Sequence, residues 1–265
     1  MRHVPTVAWR ELRSLFVSPV AYGVMSLFAV LTGLFFILYV SAFVEWVARL
    51  TQFQEMERLA ATNVNDDLVA PFYQMLDTVL LILVPGITMG LFTAEKQNGT
   101  QELLLTSPLT IWDVVLGKFA AAAAFVALLV AMVAAYPGLL FLYGGAEGGP
   151  EIGKTLAGHL GVLLVGWTYV AIGTFASSLT RSQVVSFLMA FVLLLFLQLL
   201  PAISDLGVLG GGSALGETLR WVATGVHFQP MLGGLVDTQD LVYFAVIIGS
   251  FLLLTKASVE SVRWR

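Results

Sequence analysis

Cysteine is absent from this chain of 265 residues, and charged residues make up only 11% of it. The lack of cysteine excludes disulfides, Cys-ligated zinc and thiol chemistry. A soluble domain carries roughly a quarter charged residues, so this content is too small to cover a water-facing surface. The 13 Lys and Arg residues are outnumbered by 17 Asp and Glu residues, which leaves no basic field for nucleic acid. With 58% hydrophobic residues, the composition predicts a protein surrounded mostly by lipid.

Long uncharged runs recur along the chain, and about 20 apolar residues are enough to cross a bilayer as a helix. The runs are continuous and do not alternate with polar residues, which argues against a membrane barrel. The first run is longer than the apolar core of a signal peptide, about 7–15 residues, so we expect it to stay as a span. The sequence therefore predicts an all-α integral membrane protein with six transmembrane helices, at about 20–43, 72–93, 119–142, 155–178, 183–203 and 239–256.

The distribution of Lys and Arg between the loops predicts the orientation of these spans. An N-terminus inside the cell places nine of these residues in the cytoplasm and four outside. The cytoplasmic set is Arg2, Arg10, Arg13, Lys96, Lys118, Arg181, Lys256, Arg263 and Arg265, and the external set is Arg49, Arg58, Lys154 and Arg220. Both termini are therefore expected in the cytoplasm.

Residues 3–17 form a pattern typical of an amphipathic helix, with apolar residues on one side and Arg10 and Arg13 on the other. Such a helix would lie in the cytoplasmic membrane interface with Trp9 at headgroup level. The alternative is a basic flank that only fixes the orientation of the first span.

The segment 204–238 is expected outside the cell. It begins with the glycine-rich stretch 207–212 and continues with apolar residues at helical spacing, which are Leu215, Leu219, Val222 and Val226. The pattern predicts an amphipathic helix at the membrane interface before the last span.

Residues Gly148–Thr155 read GGPEIGKT and match the phosphate-binding P-loop pattern. That loop works only where it follows a buried strand and opens a helix in an α/β domain. Here a membrane helix precedes it, and it falls on the predicted external side. We interpret it as a glycine-rich external turn.

Residues suited to catalysis or ion coupling are few. No HExxH or GxSxG motif occurs, and no span offers both a nucleophile and a base, so enzyme activity is not expected. Asp77 is a carboxylate well inside a predicted span, and the favoured interpretation is that it reaches water at the interface. Gln198 and His159 are weaker candidates for ion coupling.

The second predicted span contains Pro85 and Gly86 at its middle, and Gly86 forms a GxxxG motif with Gly90. Proline bends a helix and paired glycines allow close helix approach. These residues are either a hinge or subunit-contact face, or an ordinary instance of glycine and proline in a membrane helix.

The loop 94-AEKQNGTQELLLTSPLTIWDVVLGKF-119 closely resembles the cytoplasmic loop of ABC transporter permeases of the type-2 exporter family. Two further stretches, 11-ELRSLFVSPVAY-22 and 227-HFQPMLGGLVDTQDLVYF-244, are similar to the gliding-motility-type (GldF-like) permeases. The tail 254-LTKASVESVRWR-265 also fits this subfamily.

The resemblance implies that the segment 204–238 is an external amphipathic or re-entrant element before the last span. It also implies a cytoplasmic coupling helix within about 97–107 that docks on a separate cytoplasmic ATPase. Glu95 and Glu102 would pair with basic residues of that ATPase, and the leucines at 103–105 would fill an apolar cleft, unless these leucines pack against the chain's own spans. The residues implied in coupling are Glu95, Gly99, Thr100, Glu102, Leu103, Leu104, Leu105 and Pro108. No cofactor is expected in this chain, because ATP and magnesium would bind the ATPase.

The resemblance also implies a homodimer in the bacterial inner membrane, bound to two ATPase subunits and in contact with membrane lipid. A GldG-like membrane protein with an extracytoplasmic domain is a possible further partner. The expected function is ATP-driven export. The alternatives are a membrane anchor or mechanical transducer with the same ATPase contact, and thirdly a secondary carrier driven by an ion gradient.

Overall fold

A computed structural model describes residues 3–100, 109–144, 149–205 and 214–261 of the chain. The described residues form helices and short connections, with no strand among them. A π-helical turn at Asn65–Val69 leads into the fourth helix. The α-helices are α1 Val4–Val17, α2 Pro19–Gln52, α3 Met56–Ala61, α4 Ala70–Thr88, α5 Gly90–Gln97, α6 Ile111–Val133, α7 Ala135–Tyr143, α8 Ile152–Leu179, α9 Gln183–Asp205, α10 Ala214–Val222, α11 Thr224–Leu232 and α12 Thr238–Ser261.

Within the described ranges, six helical stretches are long and apolar enough to cross a membrane, as predicted. Most extend beyond the predicted bounds, because a helix continues past the last apolar residue while a hydropathy signal stops there. Helix α5 ends and helix α6 begins at the same end of the bundle, which we call the "loop end". The opposite end of the bundle is called the "far end". The stretches are Pro19–Gln52, Asn65–Gln97, Ile111–Tyr143, Ile152–Leu179, Gln183–Ser204 and Thr238–Ser261.

Helix α8 is the centre of the bundle. In the most apolar part of α8, 72% of the residues are buried. In the most apolar part of α2, which lies at the periphery, 17% of the residues are buried. It packs against α4, α6, α9, α11 and α12. A helix that is apolar on all sides suits this position, since every side of it meets another helix.

Helices α4 and α8 run parallel and approach closely where α8 has glycine. Tyr73 lies against Gly158, and further along both helices Thr88 lies against Gly173. A Cβ atom at Gly173 would lie 2.0 Å from the Thr88 hydroxyl oxygen. Glycine is therefore required there for the contact between the two helices.

The second span is interrupted at Met89, one turn after the proline at its middle. The Thr88 hydroxyl donates to the carbonyl of Val84 at 2.9 Å. A Cβ atom added at Gly86 or Gly90 would have no neighbour within 4 Å. These glycines therefore mediate no close helix contact among the residues that the structure describes, and their assignment as a hinge or subunit-contact face stays a prediction.

Helix α1 packs lengthwise against the first half of α6, in the same direction. Val7 rests on Gly117, and the ring of Phe16 meets that of Phe125 edge to face at 5.8 Å. The side chain of Trp9 is 67% exposed, and Arg10 and Arg13 are exposed as well. The apolar side of α1 thus faces the protein, while its location at the membrane interface stays a prediction.

The described residues from 214 to 238 contain two helices before the last span, α10 and α11, where the sequence predicted one. The chain is extended at Ala223, directly after two residues whose carbonyls are bound by side chains further along the chain. The carbonyl of Trp221 bonds His227 Nε2 at 2.8 Å, and that of Val222 accepts from the Tyr243 hydroxyl at 2.7 Å. These side chains bind carbonyls that would otherwise accept hydrogen bonds within a helix. The chain therefore does not form one continuous helix through Ala223, although its apolar residues keep helical spacing there.

Candidate functional site

A buried lysine lies at the loop end, where three helices meet. The Nζ atom of Lys118 on α6 is 2.8 Å from Glu95 Oε1 on α5 and 3.4 Å from Glu11 Oε1 on α1. The lysine side chain is only 2% exposed, and the ring of Phe92 lies 5.4 Å from its ammonium group. The ammonium group therefore joins the N-terminal helix to both helices that flank the loop.

Local structure fixes the position of each partner. Helix α6 begins with a capping box, in which the Thr110 hydroxyl accepts from the backbone of Asp113 at 3.1 Å. The backbone N–H of His3 donates to the Asp113 carboxylate at 3.4 Å, so the starts of α1 and α6 are held together. Gly117 then lets α1 approach closely enough for Glu11 to reach Lys118.

The ionic contact resists separation of these helices. A buried ammonium group without a partner is costly, because its hydration is lost, and removing one partner of a buried ion pair is strongly destabilising. The sequence analysis counted Lys118 among the cytoplasmic charges and included it in the loop at 94–119, but predicted no partner for it within the chain. Its role depends on Glu11, which is 107 residues distant in the chain.

A second set of polar contacts ties α5 to the end of α8. The Lys96 ammonium group and the Ser258 hydroxyl both donate to the carbonyl of Ser178. The Ser177 hydroxyl donates to the carbonyl of Met89 at 3.0 Å and accepts from the N–H of Phe92 at 3.0 Å. The second, fourth and sixth spans are thus connected at the loop end.

Gly99 and Thr100 end α5 in the geometry of a Schellman motif. Gly99 has a φ of +69°, in the region that favours glycine, and Thr100 N–H donates to the carbonyl of Glu95 at 3.0 Å. Glu95 was predicted to pair with basic residues of an ATPase. In the structure it forms an ion pair with Lys118 of the same chain. The other predicted coupling residues lie outside the described residues: Glu102, Leu103, Leu104, Leu105 and Pro108.

A model of the family described as ABC-2 family transporter protein matches residues 6–255. The chain belongs to the ABC-2 transporter family. It is a multi-pass membrane protein and the membrane permease component of an ABC transporter. Members of this family have no catalytic activity of their own and typically pair with a cytoplasmic ATPase. No curated protein matches the chain.

A cleft of about 290 Å³ opens beside Lys118 in this ABC-2 permease. It is bordered by Glu11 and Leu15 of α1 on one side and by Gly90, Ala94 and Glu95 on the other. The ionic contact therefore bridges a space between α1 and α5 that side chains do not fill. Helix α5 has room beside it on the side that faces α1.

The P-loop-like residues of the permease have structural partners at the far end. Lys154 Nζ lies 3.6 Å from an Asp66 carboxylate oxygen. The Thr155 hydroxyl donates to the carbonyl of Glu151 and accepts from the Asn65 side chain at 3.2 Å. These contacts hold the beginnings of the second and fourth spans together. Gly148 of the motif lies outside the described residues.

Asp77 does not reach water at the interface, contrary to the interpretation from sequence. It is 5% exposed and accepts from the Tyr169 hydroxyl at 2.6 Å and from Gln198 Nε2 at 2.8 Å. Donors on α8 and α9 therefore hold the carboxylate inside the bundle of the permease. His159 has a different partner, with its Nδ1 atom 3.5 Å from the Tyr73 hydroxyl.

Proposed function

We propose that this chain is the permease subunit of an ATP-driven exporter, and that a separate cytoplasmic ATPase drives it through the loop between α5 and α6. The observation that carries the proposal is the contact of Lys118 with Glu95 and Glu11. It supports a route by which force on the loop reaches the spans, because both flanks of the loop meet at one buried charge. ATP and magnesium would bind the ATPase, and no cofactor is assigned to this chain.

The polar contacts at the loop end support the next step of this route. A displacement of α5 would pull on the end of α8 through Ser177 and Ser178. Because α8 packs against five other helices, movement of its end reaches most of the bundle. A mechanical transducer would use the same route, and substrate movement in proteoliposomes distinguishes it from an exporter.

The assembly we propose is a homodimer in the bacterial inner membrane with two ATPase subunits. Both termini and the loop end face the cytoplasm, as the distribution of Lys and Arg favours. Membership of the gliding-motility-type (GldF-like) subfamily is supported by the motifs at 11–22 and 227–244. A GldG-like partner would supply the extracytoplasmic domain that the short external loops lack.

Replacing Glu102 and the leucines at 103–105 together by alanine should reduce stimulation of the partner ATPase by about tenfold or more. The reason is that loss of a central apolar anchor costs more than 1.4 kcal/mol of binding. The measurement is ATP hydrolysis by the co-purified complex in proteoliposomes. Leu253→Ala with Leu254→Ala is the matched control, because both leucines are about half exposed on the last span. Stimulation equal to that of the original chain would contradict the coupling role.

The orientation can be tested with single cysteines, because the chain has none of its own. Thr62→Cys and Gly210→Cys should react with a membrane-impermeant maleimide added to intact cells. Asn98→Cys, which is exposed at the end of α5, should react only after the membrane is opened. Labelling of position 98 in intact cells would show that the proposed orientation is inverted.

A further inference from the structure

Helix α1 carries two arginines within one turn of each other, on the side that faces away from the bundle. Both Arg10 and Arg13 are exposed, and residues three apart are neighbours on a helix surface. The Arg10 guanidinium group contacts Glu11 at 2.6 Å. Arg13 has no carboxylate partner within the described part of the chain, so it is a cation that lacks a counter-charge there.

The carboxylates next to α1 do not supply this counter-charge. Glu11 Oε1 already lies 2.6 Å from Arg10 and 3.4 Å from the ammonium group of Lys118. Lys118 is bound by Glu95 as well. Together with Arg13, the group has three cations and two carboxylates. One positive charge therefore remains uncompensated, and an anion is the ligand that would compensate it.

The packing of α1 gives the depth of Arg13 in the membrane. Helix α1 runs along α6 in the same direction, from the contact of Val7 with Gly117 to that of Phe16 with Phe125. Arg13 lies in the second half of this stretch, level with a part of α6 that carries no charged residue. Because a charge is costly in hydrocarbon, the guanidinium group is expected to reach back to the lipid headgroups.

A cleft of about 390 Å³ lies on the headgroup side of Arg13. Side chains lean towards the N-terminus of their helix, so Arg13 leans towards Arg10 and Trp9, which line the cleft with it. His3 and Thr6 add further polar groups to its wall. No carboxylate is among the described residues that line it. The cleft therefore presents positive charge and hydrogen-bond donors at the level of the headgroups.

The same side of the chain becomes apolar beyond Arg13. Val17, one turn further along α1, is 77% exposed, and Val20 at the start of α2 is 68% exposed. In a membrane protein such side chains contact acyl chains, which are as apolar as they are. Cations at headgroup level and apolar side chains below them match the order of charge and tail in a phospholipid.

We propose that this cleft binds an anionic glycerophospholipid of the leaflet at the loop end, with the lipid phosphate between Arg10 and Arg13. A guanidinium group suits this ligand, because it donates two parallel hydrogen bonds to phosphate oxygens. The Trp9 indole lies beside the headgroup, and Val17 contacts an acyl chain. The proposal goes beyond the export function and requires neither an ATPase nor one orientation of the chain.

The test measures lipid binding to the purified full chain by native mass spectrometry in a mild detergent. Phosphatidylglycerol, phosphatidylcholine with the same acyl chains, and glycerol phosphate without acyl chains are titrated in turn. Each arginine near an anionic lipid contributes a factor of about five to binding. Phosphatidylglycerol should therefore bind about 25-fold more tightly than phosphatidylcholine, whose choline cation leaves the headgroup without net charge.

Substitutions of the two arginines test their roles. Arg13→Gln should reduce the preference for phosphatidylglycerol by about fivefold, and Arg10→Gln with Arg13→Gln should abolish it. Arg13→Lys keeps the charge and should keep most of the preference. Arg49→Gln is the control, because this arginine is exposed near the end of α2, and it should leave the preference unchanged. A preference that survives the double variant would overturn the proposal.

A carboxylate placed in the cleft gives a test that removes no contact of α1. Thr6→Glu should lower the affinity for phosphatidylglycerol by about fivefold or more through repulsion of the phosphate. Thr51→Glu makes the same change at an exposed position near the end of α2 and should have no effect. Thermal denaturation checks that both variants are folded. Equal losses in the two variants would show that binding follows overall charge and not the cleft.

The remaining outcomes are also decisive. Equal binding of phosphatidylglycerol and phosphatidylcholine would show that the site does not select an anionic headgroup. Displacement of phosphatidylglycerol by glycerol phosphate at equal concentration would show a site for a free phosphate ester and not for a lipid. No ATPase takes part in these measurements, so their failure leaves the coupling proposal standing, and failure of ATPase coupling leaves the lipid site standing.

Discussion

Lys118→Met is expected to abolish stimulation of the partner ATPase and to lower the free energy of unfolding by about 3 kcal/mol. This is the low end of the range for removing one partner of a buried ion pair. We choose the low end because water reaches Glu11 and Glu95, whose side chains are 18% and 19% exposed. The measurements are ATP hydrolysis by the reconstituted complex and denaturation of the purified chain.

The consequences for the two carboxylates differ. Glu11 keeps a second cation, because Arg10 lies 2.6 Å from the same oxygen, whereas Glu95 loses its ammonium partner. Adding Glu95→Gln to Lys118→Met should therefore restore most of the stability. ATPase stimulation should stay low in the double variant, since the contact between α5 and α6 is still lost. Restored stimulation would show that Lys118 acts only on folding.

Two further variants serve as controls for Lys118. Lys118→Arg keeps the charge and should keep at least part of the stimulation. Arg49→Met breaks an ion pair with Glu45 in which both side chains are about 70% exposed, and it should change the stability by about 0.5 kcal/mol or less. If Arg49→Met lowered the free energy of unfolding as much as Lys118→Met does, the burial of Lys118 would not explain the effect of its loss.

The six spans could be predicted from the sequence because crossing a bilayer requires only length and apolar composition. The family could also be inferred, since the loop at 94–119 carries its resemblance in contiguous residues. Both signals are local. They need no knowledge of which helices are neighbours.

The environment of Asp77 could not be predicted in this way. Its donors, Tyr169 and Gln198, are 92 and 121 residues distant in the chain. Sequence position gives the depth of a residue in a span but does not give the side of the helix that meets polar neighbours. The break between α10 and α11 at Ala223 could not be predicted for the same reason. It depends on the Tyr243 hydroxyl of the last span, which donates to the Val222 carbonyl that a continuous helix would have used.

Gly173→Ala should lower the free energy of unfolding by about 3 kcal/mol, the upper part of the usual range for overpacking. The added Cβ atom would lie 2.0 Å from the Thr88 hydroxyl oxygen and 2.8 Å from the Thr88 Cβ atom. Rotating Thr88 relieves only the first clash and breaks its bond to Val84. Helices α4 and α8 must therefore separate, and thermal denaturation of the purified chain measures the cost.

Two comparisons make the Gly173 prediction specific to this contact. Gly249→Ala adds the same atom where nothing lies within 4 Å, so it should leave stability unchanged or raise it by up to about 1 kcal/mol, the usual gain from glycine to alanine in a helix. Thr88→Gly added to Gly173→Ala removes the clashing side chain and should recover most of the loss. Because Ser177 holds α5 one turn beyond Gly173, ATPase stimulation should fall and recover together with stability. An unchanged melting temperature in Gly173→Ala would mean that α4 and α8 do not meet at this glycine.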